Sequence, residues 1–208
     1  MPNWVRNIVT IKGDENEIEK FQEKVKSDEM EFTFQNIIPM PEDLAIEVSG
    51  KVKSAMTAIR RGKNALAEWF ENENFFSQKE KEEVVKIAKQ AIENEKKYGF
   101  TDWFGWTRVN WGTKWDADNV YFEFYKGQLV LEFNTAWTAP LPIYKKMAEM
   151  FPELSFSIIF ADEDLGFNCG TLEYENGEKT HEEEGDIYLS LKVWGIDPED
   201  YFEEEDEN

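Results

Sequence analysis

The stretch from Asn119 to Trp137 reads NVYFEFYKGQLVLEFNTAW, and its pattern decides the fold class. Val120, Phe122 and Phe124 alternate with Tyr121, Glu123 and Tyr125; beyond Lys126 and Gly127, Leu129, Leu131 and Phe133 resume the alternation. A period of two sends successive side chains to opposite faces of a sheet, and a Lys-Gly interruption turns the chain back. The stretch therefore predicts a β-hairpin.

Upstream, residues 4–12, WVRNIVTIK, carry β-branched residues in alternation and read as a strand ended by Gly13 and Asp14. Asp14 with Glu17 offers a capping box for a helix whose apolar face holds Ile18, Phe21 and Val25. EFTFQNII at residues 31–38 alternates again before PMP and predicts a second strand, which would complete a right-handed β-α-β unit. The period then lengthens. Ala45, Val48, Val52, Ala55, Met56 and Ile59 recur at helical spacing, Ala65 to Phe70 suggest a short helix after Gly62, and Ser77 with Glu80 caps a third. Residues 42–100 thus read as a helical insertion.

Downstream of the hairpin, Pro140 and Pro142 precede a short amphipathic helix with Ile143, Met147 and Met150. LSFSIIF at residues 154–160 and GFNCGTLEYE at 166–175 predict antiparallel neighbours, with NGEK as a turn and residues 186–194 as an edge strand or short packed segment. The expected architecture is an α+β ferredoxin-like sandwich on a mixed or mainly antiparallel sheet. One domain would span residues 1–197, followed by a flexible acidic tail over 198–208.

The 208 residues suffice for a substantial core, and 41% hydrophobic with 15% aromatic content argues for a folded chain. The formal charge is −21, and residues 173–208 alone hold 15 acidic and 2 basic side chains. Such a field disfavours nonspecific nucleic-acid binding and suits solubility or a basic protein partner. A single cysteine, Cys169, allows neither an internal disulfide nor a Cys-rich metal site. With no long apolar run, the expectation is a cytoplasmic chain without membrane association.

WFGWTRVNWGTKWDAD, residues 103–118, concentrates four of the eight tryptophans. Trp106, Arg108, Asn110, Trp111, Lys114, Trp115, Asp116 and Asp118, with Trp137 beyond the hairpin, are the candidate interface or ligand residues. Indoles beside Arg108 and Lys114 suit stacking on a ring, and Asn110 suits directed hydrogen bonding. The tryptophan spacing fits neither one helix stripe nor one strand face, so some rings should point inward and others outward. Asp116 and Asp118 could hold a cation or divide acid and base work, but turn formation and charge balance explain them more simply. The sole histidine, His181, lies in the hydrophilic KTHEEEGD and reads as solvated; Cys169 reads as a small buried filler. No P-loop, Rossmann glycine pattern, HExxH, EF-hand loop or GxSxG element occurs. No cofactor is expected.

Taken in order, MPNWVRNIVTIKG, FQNIIPMP, WTRVNWGTKWDA, FNTAWTAPLPIYKKMAEMFPEL and FADEDLGFNCG resemble the Api92-like family with a YubB-type ferredoxin-like domain, met in phages, plasmids and other mobile elements. The resemblance spans roughly residues 1–175. It implies a β-α-β half, a helical insertion and a second sheet-and-helix half. Its NWGTKW element falls on residues 110–115, its TAW and proline element on Thr135, Ala136, Trp137, Pro140 and Pro142, and its glycine-bearing element on Gly166, Phe167 and Gly170. Where the family has Cys after Asn-Trp, this chain has Val5, so a role for that thiol is not supported. The resemblance supplies no catalytic residues.

These readings favour a mobile-element accessory protein that is not an enzyme and binds another protein. Three alternatives stand beside it. The acidic surface could mimic nucleic acid and block a DNA-binding enzyme; Asp116, Asp118 and Arg108 could form a metal-assisted site lined by Trp111 and Trp115; or the tryptophans could stack single-stranded nucleic acid.

Overall fold

Alternation of β-branched and polar residues makes Trp4–Lys12 strand β1, with Val5, Asn7, Val9 and Ile11 all buried. The computed structural model describes residues 3–73 and 77–206, with side chains described through residue 202. Asp14 caps α1 (Glu15–Val25) by accepting from the Asn16 N–H at 3.0 Å. The following elements are α2 (Gly50–Arg61), α3 (Lys63–Asn72), α4 (Gln78–Tyr98), α5 (Trp103–Asn110), β2 (Asp118–Tyr125) and β3 (Gln128–Ala136). After these come α6 (Leu141–Met150), β4 (Ser155–Asp162), β5 (Gly170–Glu175), β6 (Glu178–Glu184), α7 (Ile187–Trp194) and α8 (Pro198–Asp206).

The six described strands form one sheet in the order β2-β3-β1-β4-β5-β6, and every neighbouring pair is antiparallel. Within it, β1, α1, β2, β3, α6 and β4 give the ferredoxin-like arrangement, with β3 between β1 and β2. The β5-β6 hairpin extends this sheet beyond β4. The fold is therefore α+β with an antiparallel sheet, as its hairpin stretch indicates.

The chain divides into two compact units, one from residues 1–39 and 108–208 and the other from 40–107. In the first, Val9, Ile11, Leu129, Leu131, Phe133, Phe156 and Ile158 are buried strand residues; Ile18, Phe21, Ile143, Tyr144 and Met147 are buried on α1 and α6. A second cluster gathers Ala161, Cys169 and Val193 with Ile8, Ile159, Leu189 and Trp194. In the second unit, Val52, Ala55, Met56, Trp69, Val85, Ala88 and Ala91 make a helical core. Its Ser77–Glu80 capping box forms as the spacing requires.

One local expectation needs correction, and one open reading is decided. Residues 31–38 are not a strand; they form an irregular segment with a 3-10 turn at Phe34–Asn36. The Thr33 hydroxyl accepts from the Gln35 N–H, and the Asp116 carboxylate takes the Phe34 N–H, so side chains satisfy donors that a ladder would otherwise use. The second strand of the split β-α-β unit is instead β2, beyond the helical unit. Residues 187–194 form a helix because Asp186 caps them, accepting from the Leu189 N–H at 3.1 Å, and Gly195 ends them in the left-handed region.

One polar side chain at the centre of the sheet is fully satisfied. Asn7 Nδ2 donates to Val5 O at 2.9 Å, Phe133 O at 3.1 Å and Thr135 Oγ1 at 3.0 Å; its Oδ1 accepts from the Tyr144 hydroxyl at 2.6 Å. Burial pushes the Tyr144 pKa well above its usual value, so the hydroxyl stays protonated and donates. This ties α6 to β1 and β3. Tyr144→Phe leaves the Asn7 oxygen buried without its donor and should lower unfolding free energy by about 1–3 kcal/mol. Urea denaturation checks this, and an unchanged midpoint would show that the bond carries no net stability.

Candidate functional site

Residues 111–117 connect α5 to β2 without regular structure, and hydrogen bonding decides which of their side chains face inward. Trp111 is 4% exposed; its Nε1–H donates to Ile38 O at 2.8 Å, and its ring meets Phe34 edge-on with centroids 5.7 Å apart. Gly112 follows at φ +81°, where a Cβ would lie 2.7 Å from Pro142 Cδ, so the turn requires glycine. The buried Thr113 hydroxyl donates to Ala136 O at 2.7 Å. Asp116 then closes the segment: its carboxylate accepts from Thr33 Oγ1 at 2.6 Å, Phe34 N at 2.7 Å and Ala117 N at 2.8 Å. Burial raises its pKa, and the bonds from Phe34, Thr33 and Ala117 partly offset that rise.

With Trp111 and Asp116 turned inward, Lys114 and Trp115 face outward. The Lys114 ammonium lies 4.2 Å from the Trp115 ring centroid and 4.7 Å from that of Trp137. Trp4 adds a third indole, its centroid 6.1 Å from that of Trp115. Trp115 and Trp137 are each 37% exposed. A cation held by two indoles at the surface gains from their π faces.

Trp137 has an unusual backbone, with φ +75°. For a bulky residue this conformation costs on the order of 1–3 kcal/mol and persists only where the surroundings hold it. Its N–H donates to Asn3 O at 2.9 Å, and its carbonyl accepts from Asn168 Nδ2 at 2.9 Å. Asn168 also donates to Asp162, whose buried carboxylate accepts from Asn3 Nδ2 and the Asp164 N–H as well. The loop held by Asp162 carries Phe167, 68% exposed and next in sequence to Asn168.

The candidate residues therefore separate. Lys114, Trp115 and Trp137 come together; Trp111 and Asp116 serve the interior beside them. Asp118 is exposed at the start of β2, opposite Asn134. Arg108 and Asn110 lie in the last turn of α5, and Trp106, earlier in that helix, is buried. Trp4 lies outside the candidate set, because its contact with Trp115 depends on β1 pairing with β3. The signal available was Trp4 at the mouth of a strand.

His181 is an exposed residue of β6, 3.5 Å from Glu183. Cys169 is buried and directs its sulfur to Asp186 O at 3.5 Å. Among the described residues, no group of three or more His, Cys, Asp or Glu is arranged to hold a metal ion, and no helix is long and apolar enough to cross a membrane.

The topology defines a ferredoxin-like α+β protein, and residues 110–207 match the family model described as the ferredoxin-like domain in Api92-like protein. The C-terminal part of the chain is thus similar to that domain. A crystal structure of protein Api92 from Yersinia pseudotuberculosis is similar at 9% identity and a TM-score of 0.49, covering 89% of this chain and 98% of that one. No curated protein matches the chain.

The Asp116 environment gives a signed pH dependence. Its raised folded pKa means that the native state binds this proton more tightly than the unfolded chain. The resulting stability is present below the unfolded value, about 3.9, and is lost as pH rises through the folded pKa. Asp116→Asn should flatten that descending part of the profile. Urea midpoints for both proteins between about pH 4 and 7 test it; a difference constant across the range would contradict the assignment.

Proposed function

We propose that this chain is a protein-binding module whose contact surface is built on Trp115 and Trp137 around Lys114, flanked by Trp4. The observation that carries the reading is Trp137 itself: a strained backbone, fixed by Asn3 and Asn168, leaves a large indole partly exposed beside a second one. Tryptophan is enriched among the residues that dominate binding energy, since a rigid ring contributes much area at small entropic cost.

A nucleic-acid mimic has one feature in its favour. All seven residues of β6 are exposed, and Glu178, Glu182, Glu183 and Glu184 give the strand four carboxylates. That acidity also guards a sheet edge against aggregation, so the aromatic surface is the better-supported contact.

Capture from a lysate of the source cells, repeated with Trp115→Ala and Trp137→Ala, tests the choice. Each substitution should weaken a specific capture by about 2 kcal/mol, or roughly thirtyfold, without shifting the unfolding midpoint by a comparable amount. Capture that survives the double substitution yet disappears when Glu182, Glu183 and Glu184 become Gln would favour the mimic and defeat the aromatic reading.

A further inference from the structure

The two edges of the sheet are built differently. β6 is lined with charge, which discourages another strand from adding to it. β2 has only Asp118 and Glu123 as charged residues, while Tyr121, Phe124 and Tyr125 are each more than half exposed.

The hairpin register identifies which backbone groups this edge presents. Tyr125 pairs with Gln128 across Lys126 and Gly127, both at positive φ, as a two-residue type I′ turn requires. Residues flanking such a turn exchange both of their ladder bonds, and hydrogen-bonded pairs then alternate along the hairpin. Glu123 with Val130 and Tyr121 with Glu132 are thus bonded pairs, which directs the N–H and C=O groups of Phe122 and Phe124 toward the free edge. Side chains divide as well. Phe122 and Phe124 share the face of Leu131 and Leu129, while Tyr121, Glu123 and Tyr125 form a row on the other.

We propose that β2 accepts an extended basic and apolar segment of a partner protein by strand addition. Apolar side chains of the segment cover Phe122 and Phe124; an Arg or Lys lies opposite Glu123, between Tyr121 and Tyr125. The chemistry of that row selects the cation: a carboxylate supplies charge, and two phenol rings supply π faces. Lys126 already makes such a contact, with its ammonium 4.8 Å from the Tyr125 centroid. A second copy is the poorer occupant, because two chains of charge −21 repel and Glu123 would meet no cation. The register shift between Asp118 and Tyr121, with Asn119 at φ +49°, confines the regular edge to Tyr121–Tyr125. This surface is independent of the tryptophan one.

The probe is a fluorescent peptide of sequence TVRVRVT, titrated against the full chain and read by anisotropy and by backbone amide shifts. Phe124→Pro removes an outward N–H while keeping the ladder to β3 and the charge of the protein; it should weaken binding by about tenfold or more. Glu123→Lys, at an exposed position, should weaken TVRVRVT similarly and create binding to TVEVEVT. Shifts centred on Tyr121–Tyr125 together with this exchange of charge preference support the proposal. Affinity unchanged by both substitutions, or shifts centred on β6, would overturn it. A peptide-free dimer that Phe124→Pro dissolves would also overturn it by assigning the edge to a second copy.

Discussion

The Asp116 carboxylate is the constraint on which the aromatic surface depends. It joins two segments far apart in sequence by taking the Thr33 hydroxyl, the Phe34 N–H and the Ala117 N–H together. A partly buried charge is tolerated only when its lone pairs are filled, and here three donors fill them. Because that bond set fixes residue 116 inward, the short path from Trp111 has little freedom: Trp111 enters against Phe34 and Ile38, Thr113 reaches Ala136, and Lys114 with Trp115 are left outside. The same bonds explain why residues 33–34 do not join a ladder. One carboxylate thus decides both a missing strand and an exposed indole.

Trp137 reaches the same surface by a different route. It follows the last residue of β3, and its left-handed backbone is held on one side by Asn3 at the start of β1 and on the other by Asn168 beyond β4. Holding both backbone groups makes the strain sustainable, and the central strand order supplies the holders. Lys114 completes the arrangement, since its ammonium lies close to both exposed indoles. The ferredoxin-like core therefore gathers three sequence-distant segments at one end of the β3-β1-β4 ladder.

Much of this fold was legible from periodicity. The hairpin at β2-β3, β1, α1, α4 with its capping box, α6 and β4 follow from patterns of two or 3.6 and from caps. Residues 31–38 misled because Phe32 and Phe34 are both fully buried, which alternation in a strand also predicts; only Asp116, some 80 residues away, distinguishes the two cases. Strand β6 escaped notice because EKTHEEE has no apolar residue, and its pairing comes from the turn at Asn176 and Gly177. At the candidate site, the sequence indicated that the tryptophans would divide between interior and surface. It could not say which, since the sorting is set by Ile38, Thr33 and Asn168, all distant along the chain.

Indole hydrogen exchange measured by NMR tests the central claim most directly. The Trp111 Nε1–H, bonded to Ile38 O, should exchange far more slowly than that of Trp115, and Asp116→Ala should remove much of the protection at Trp111 while the core amides of β1 and β3 keep theirs. Equal exchange at Trp111 and Trp115, or full protection of Trp111 in the Asp116→Ala protein, would contradict a carboxylate that sorts the tryptophans.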